Sequence, residues 1–389
     1  MKVAYVTLYD VLNPASWPSK HQAGIYGSGY YLAKALTDAS VFIDYISPIK
    51  EKKALITSAK FHIYQKLFGK QYYSWAEPII LQDFAYQISQ RLATLNSDVV
   101  LCPINVIPIA KLECKQPIVL WTDTTLDLLI DFYPYLSNLC QETITNIQAM
   151  ERVALNKCKL VLYTSEWAAQ AAIKTYGIEP SKVKVLPWGV NVECDRTIND
   201  INSILKSRVL NPCKLLFIGV DWIRKGGNIA LEVAKELNKT GLNAELTIVG
   251  CEPIVNEPLP HFVSSLGYID KSTTEGNEKI NKLFAESHFL ILPTLADCSP
   301  VVLAEANSFG VPCISTNIGG IPTIIKDNLN GKVFPLNASI SEYCTYIVNL
   351  FSNYSEYKKL ALSSFNDYQV RLNWSSAGKA AKSLFKHLI

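Results

Sequence analysis

The sequence predicts an α/β protein with two parallel sheets, each covered by helices on both faces, on three observations. Short β-rich apolar runs alternate with amphipathic stretches along nearly the whole chain, the signature of helix-covered parallel sheets. The chain has 389 residues, more than one ordinary domain holds. The alternation pauses over 188–211, a polar, strand-poor region closing with Asn211-Pro212-Cys213-Lys214. Two Rossmann-like domains facing each other across a cleft are expected, with ligands at the carboxyl ends of the strands.

In chain order, strands are expected at 3–8, 41–46, 99–103, 118–121, 160–164 and 184–187. After the pause come 215–219, 245–249, 262–266, 289–293 and 312–315. Helical patterns separate them, the clearest at 30–37, 166–176, 228–239 and 280–286. The segment 50–70 carries six lysines against the single acid Glu51, interleaved with Phe61, Ile63, Tyr64, Leu67 and Phe68. It fits either a solvated helix face or a weak contact with an anionic membrane surface.

Composition narrows the function. A net charge of +3 gives no footprint for nucleic acid. No apolar run of the ~18 residues needed for a membrane span occurs. The first residues read as a strand, not as an export signal, so a cytoplasmic protein is expected. The ten cysteines form no Cys-x-x-Cys pair and the five histidines form no ligand pair. Reduced cysteines and no metal site are therefore expected. Neither a Gly-x-Ser-x-Gly elbow nor a Gly-Lys-Ser/Thr phosphate loop is present, which removes common hydrolase and P-loop readings.

Four constellations carry candidate chemistry. In Leu295-Ala296-Asp297-Cys298-Ser299-Pro300-Val301, Asp297 follows a strand and a helix starts near Ser299, with Glu305 in its second turn. Two such carboxylates can hold sugar or ribose hydroxyls. Asp297 is otherwise a cap residue and Glu305 a solvated one, but the helix is too apolar to carry a carboxylate without reason. In Gly219-Val220-Asp221-Trp222-Ile223-Arg224-Lys225-Gly226-Gly227, two cations and two glycines at a helix start can clamp a diphosphate. Gly27 and Gly29 precede a helix and could admit a ligand to backbone amides, although the long loop before them fits a dinucleotide fingerprint poorly. Asp123, in Thr122-Asp123-Thr124-Thr125, stands at a strand's carboxyl end, as a site residue or a helix cap.

Together these stretches resemble the retaining GT-B glycosyltransferases of the group 1, or family-four, type, most specifically over 214–335. The resemblance implies that Asp297 contacts the donor sugar, Glu305 the ribose and Lys225 the diphosphate. Gly267-Tyr268-Ile269 looks like the turn whose backbone faces the base, which falls on Tyr268 and Ile269. Ser299 and Val301, at the helix start, fall among the donor contacts. The sequence departs from the family in four places. Asp297, eight positions before Glu305, is a shorter variant of the usual Glu. Val220 stands where many members have Arg, so Arg224 is expected in that duty. Asp123 is nearest to a frequent His. Ser299-Pro300 replaces the usual Phe-Gly and removes one backbone donor.

The resemblance implies domains at 1–191 for the acceptor and 192–373 for the donor, with a last helix at 374–389 packing back on the first. It implies a hexosyltransferase that retains configuration, uses no metal or other cofactor, and moves sugar from a nucleotide-diphosphate sugar to a saccharide, lipid or small-molecule acceptor. Polysaccharide or glycolipid biosynthesis would be its setting, in the cytoplasm or at the inner face of a membrane. A catalytically weak or inactive GT-B protein that binds nucleotide sugar or glycan is the alternative reading. An exported two-domain sugar-binding protein and a nucleotide-sugar epimerase are further ones.

Overall fold

The computed structural model describes residues 1–17, 23–52, 55–192 and 194–389. His21 and Lys53 therefore lie outside the described residues. In chain order the elements are β1 (Lys2–Val6), α1 (Ala23–Asp38), β2 (Phe42–Ile46), α2 (Leu55–Phe68), α3 (Pro78–Leu92), β3 (Val99–Pro103) and β4 (Ile118–Thr122). Then come α4 (Leu126–Leu129), α5 (Gln141–Lys157), β5 (Leu160–Tyr163), α6 (Glu166–Tyr176), β6 (Val183–Val185), α7 (Ile198–Ser207) and β7 (Cys213–Ile218). They are followed by α8 (Gly227–Lys239), β8 (Ala244–Val249), β9 (Val263–Ser265), α9 (Thr274–Glu286), β10 (Phe289–Leu292), α10 (Val301–Asn307) and β11 (Cys313–Thr316). The chain ends with α11 (Ile321–Ile324), β12 (Gly331–Phe334), α12 (Ile340–Ser352), α13 (Tyr354–Arg371) and α14 (Trp374–Lys386).

These elements form two compact units, Met1–Gly189 with Trp374–Ile389, and Val190–Asn373. Each holds one six-stranded sheet, in the orders β2-β1-β3-β4-β5-β6 and β12-β11-β10-β7-β8-β9. Neighbouring strands run parallel throughout. Buried on both faces, the central strands are continuous apolar runs, such as Val99-Val100-Leu101-Cys102 and Phe289-Leu290-Ile291-Leu292. The first sheet reverses its order between β1 and β3, the second between β7 and β10. Loops at such switch points diverge and leave room for a ligand.

The division falls at Gly189/Val190, slightly before the expected boundary at 191/192. Trp188 packs into the first unit, whereas Val190 and Val192 already join the core of the second. The strand-poor stretch 188–211 also contains α7, started by a capping box between Thr197 and Asp200. α14 packs on α1, and a Cβ on Gly378 would stand 2.5 Å from the Ala35 carbonyl oxygen. Among the described residues no helix is long and apolar enough to cross a membrane.

Candidate functional site

The second sheet's switch point assembles the strongest site. The loop after β7 carries Arg224 and Lys225, and the loop after β10 carries Asp297. Lys225 Nζ donates to Asp297 Oδ2, joining the two loops through side chains that are 12% and 7% exposed. Arg224 supports the same junction: its Nη1 donates to the Ala296 carbonyl at 2.9 Å and lies 4.0 Å from Asp297 Oδ2. Its own carbonyl accepts from Leu295 N at 2.7 Å and from Thr294 Oγ1 at 2.9 Å. Asp221 fixes the start of the turn by accepting from Arg224 N at 2.9 Å. Two cations and a carboxylate thus meet where two adjacent parallel strands end. The Gly319-Gly320 turn borders them, with Gly320 N donating to the Asp297 carbonyl.

The glycines of this loop allow close approach by the protein itself. Gly226 has φ +76°, and a Cβ there would stand 1.9 Å from the Pro293 carbonyl oxygen. A Cβ on Gly227 would strike the buried Trp222 ring at 2.1 Å. Both let the loop after β7 press against its own tryptophan and the end of β10. Val220 is exposed and adds no charge.

The helix after Asp297 begins at Val301, later than the expected start near Ser299. Pro300 is its N-cap, with φ −69° and ψ 107°, rather than a member of its first turn. Ser299 and Val301 flank that cap, and Val301 is half-buried. Glu305 points into the protein and is 1% exposed. Its Oε2 accepts from Lys271 Nζ at 2.5 Å. Its Oε1 is buried with no hydrogen-bond partner among the described residues. Such an atom marks a place made for a donor that the protein does not itself supply. Lys271 is the residue missed from sequence. It belongs to the turn that carries exposed Tyr268 and half-buried Ile269, and nothing local pairs it with a helix 34 positions away.

The first unit holds the other expected residues. Gly27 and Gly29 do not precede α1 but lie inside it. A Cβ on Gly29 would overlap the Tyr9 hydroxyl at 2.0 Å, and Tyr5 Oη donates to the Gly29 carbonyl. Gly29 therefore admits two tyrosines to the helix backbone, not a ligand. Tyr9 belongs to an aromatic group with Trp17 and Tyr26, with ring centroids 4.7 to 6.3 Å apart.

Asp123 follows β4 and is half-buried. It is not the cap of the next helix: Thr125 is, its Oγ1 accepting from Leu128 N at 3.2 Å. The segment is held from below by Glu151 of α5. The carboxylate accepts from Leu126 N at 2.6 Å, Asp127 N at 2.9 Å and Tyr176 Oη at 2.6 Å. Burial pushes the Glu151 carboxyl up to about 7, against the pull of these three donors.

Comparison with known proteins agrees with this geometry. Residues 204–364 match the model of the family described as glycosyl transferases group 1. A UDP-Gal:α-D-GlcNAc-diphosphoundecaprenol α-1,3-galactosyltransferase of Escherichia coli is 27% identical over 176 residues, 43% of this chain and 45% of that protein. The chain thus spans about half the length of the curated relatives it matches. Among solved structures, a glycosyltransferase from Rickettsia africae has a TM-score of 0.64 at 14% identity, covering 100% of this chain and 98% of the other. Anabaena HepE in complex with UDP also scores 0.64 at 14% identity and covers both chains fully. The two parallel sheets and these likenesses establish a GT-B fold, and residues 204–364 are similar to group 1 of the glycosyl transferases.

Proposed function

We propose that the chain is a retaining glycosyltransferase that takes its sugar from a nucleotide-diphosphate donor bound by the second unit. The observation that carries this reading is Glu305 Oε1, a buried acceptor without a partner, on the helix leaving the Lys225–Asp297 junction. A ribose hydroxyl supplies the missing donor. Lys225 and Arg224 stabilise the negative charge that grows on the departing diphosphate, and Asp297 contacts the donor sugar. The sugar passes through an oxocarbenium-like state, and the acceptor oxygen attacks the face the diphosphate leaves. The leaving phosphate oxygen takes the acceptor's proton, so no separate base and no metal is required.

The first unit takes the acceptor, with Asp123 beside it. The name of the Escherichia coli relative supports a uridine nucleotide and a saccharide on a lipid diphosphate as the substrate class. The test is the stereochemistry of the product with UDP-sugars and lipid-linked saccharide acceptors. Retained anomeric configuration supports the mechanism; inverted configuration refutes it. Nucleotide binding without any transfer or hydrolysis would favour the binding-protein reading, for which the missing N–H of Pro300 speaks.

We also infer that α2 rests on an anionic membrane surface at the cytoplasmic side. Its inner face is polar: Thr57 is buried, and Lys60 Nζ donates to Glu77 at 3.0 Å and Glu142 at 2.6 Å. Its outer face exposes Ile56, Ile63 and Leu67, spaced as one helical stripe, with Lys66 beside it and no acid anywhere on the helix. Apolar and purely basic, this face suits anionic headgroups and acyl chains. A second copy of the same face would set like charges together.

A further inference from the structure

We propose that Lys271 is a positioning residue of the nucleotide site: it anchors Glu305 through one oxygen so that the pair reads the vicinal diol of a ribose. The inference rests on the reading of Glu305 as a ribose ligand. A carboxylate that is 1% exposed needs a counter-charge, and Lys271 supplies it at Oε2. The lysine side chain is 32% exposed, so the pair is approached from solvent past the ammonium.

The chemistry of the pair is asymmetric. Oε1 can only accept, and it has no partner. The ammonium can only donate, and its contact with Oε2 uses one of its three N–H groups. One hydroxyl of a ribose can donate to Oε1 while an oxygen of the diol accepts from Lys271. A sugar without the diol leaves both groups unmatched, and buried unmatched groups are what make such sites selective. A lone carboxylate could turn about its last bond; anchored at Oε2, it cannot.

The turn that presents Lys271 is itself rigid. Asp270 Oδ1 accepts from Ser272 N at 2.9 Å and from Ser272 Oγ at 2.6 Å. The Asp270 carbonyl accepts from Thr273 Oγ1 at 2.9 Å, and Thr273 Oγ1 in turn accepts from Gly276 N at 3.1 Å. A Cβ on Gly276 would stand 2.0 Å from that carbonyl oxygen, so only glycine allows the close approach. The base of the lysine is therefore fixed. Tyr268 and Ile269, expected to face the base, lie on the same turn, which would bring base and ribose recognition onto one element.

The experiment is calorimetric binding of UDP, GDP and ADP and of their 2′,3′-dideoxy counterparts to the full chain. Wild type should prefer the ribonucleotide of its cognate base. Lys271→Met should lower that preference at least about tenfold, chiefly by weakening the ribonucleotide, and Lys271→Arg should restore much of it. Lys271→Met with Glu305→Gln removes the uncompensated buried charge, keeping the test valid if the single variant fails to fold; its preference should fall below that of Glu305→Gln alone. A wild-type preference that survives in Lys271→Met, or a double variant that discriminates as well as Glu305→Gln alone, overturns the role of Lys271 and leaves the ribose reading intact. Equal weakening of both nucleotide classes in Lys271→Met also overturns it, because the lysine would then act on phosphate or on stability alone. A wild type that binds nucleotides without preferring ribose refutes the ribose reading itself, and the proposal with it.

Discussion

Lys225 and Asp297 meet across 72 positions of sequence, and this contact concentrates the proposed chemistry. Replacing Lys225 by Ala removes the cation that faces the diphosphate and should lower kcat about 10²–10³-fold. Glu305→Ala should raise the Kd for the donor nucleotide and leave Lys271 without its carboxylate. Steady-state transfer rates and nucleotide titrations measure the two effects; unchanged values would remove those assignments. Glu151 gives a prediction in pH. Its folded carboxyl titrates at about 7 because of burial, above the ~4.3 of an unfolded glutamate, so folding takes up a proton between these values. The stability this group allows is fully present below about pH 4.3 and is lost as pH rises through 7, a change of up to about 4 kcal/mol. Asp127 on α4 adds to the upward shift and the Tyr176 hydroxyl opposes it. Glu151→Gln cannot ionise, so its denaturant midpoint should fall less than that of wild type between pH 5 and 7.5. Parallel pH profiles would show that Glu151 stays ionised. The carboxylates Asp297 and Glu305 were legible in the sequence because strand ends and helix starts are local patterns. The partner of Glu305 was not, because Lys271 is coupled to it only by the fold, as Glu151 is to the segment after β4.

At the scale of elements, the expected strands are all present, with ends shifted by a residue or two. Apolar runs bounded by glycine, proline and polar residues reveal buried strands locally. Helix starts were harder. α1 runs from Ala23, so Gly29 lies inside it, where Tyr9 and Tyr5 press against the helix. Glycine in a sequence signals close approach but not what approaches. Pro300 shows the same limit: it suits a first turn and a cap alike, and its extended backbone makes it the cap. The helix α2 inverts the usual rule, with its polar side turned to the protein and its apolar stripe outward. Ile63→Glu with Leu67→Glu changes only exposed positions. Binding to vesicles containing about one third phosphatidylglycerol should then fall several-fold in co-sedimentation. Vesicles of phosphatidylcholine should bind weakly in either case. Equal binding of wild type and variant to the anionic vesicles would exclude this face.

At the scale of the molecule, the chain crosses from the first unit to the second at Gly189 and returns at Trp374. A Cβ on Gly189 would stand 2.4 Å from Trp374 N, so the two crossings lie side by side. The return matters for stability: Trp374, Ala377, Ala381 and Phe385 of α14 are buried against the first unit's core. Ending the chain at Asn373 exposes that core, and burying side chains of this size is worth about 1.5–3 kcal/mol each. The truncated protein should lose the calorimetric transition of the first unit and retain nucleotide binding by the second, whose core is its own. Loss of both functions together would mean the units do not fold independently. The sequence by itself determined the alternation of strand and helix, the presence of two units, and the loops that carry Asp297, Glu305, Arg224 and Lys225, because each is written in neighbouring residues. Only the tertiary structure decided that Lys225 and Arg224 converge on Asp297, that Lys271 holds Glu305 with one oxygen left open, and that Gly29 receives tyrosines. These depend on strand order: β10 lies beside β7 although 70 residues separate their loops, and no local pattern encodes which distant loops a parallel sheet will place together.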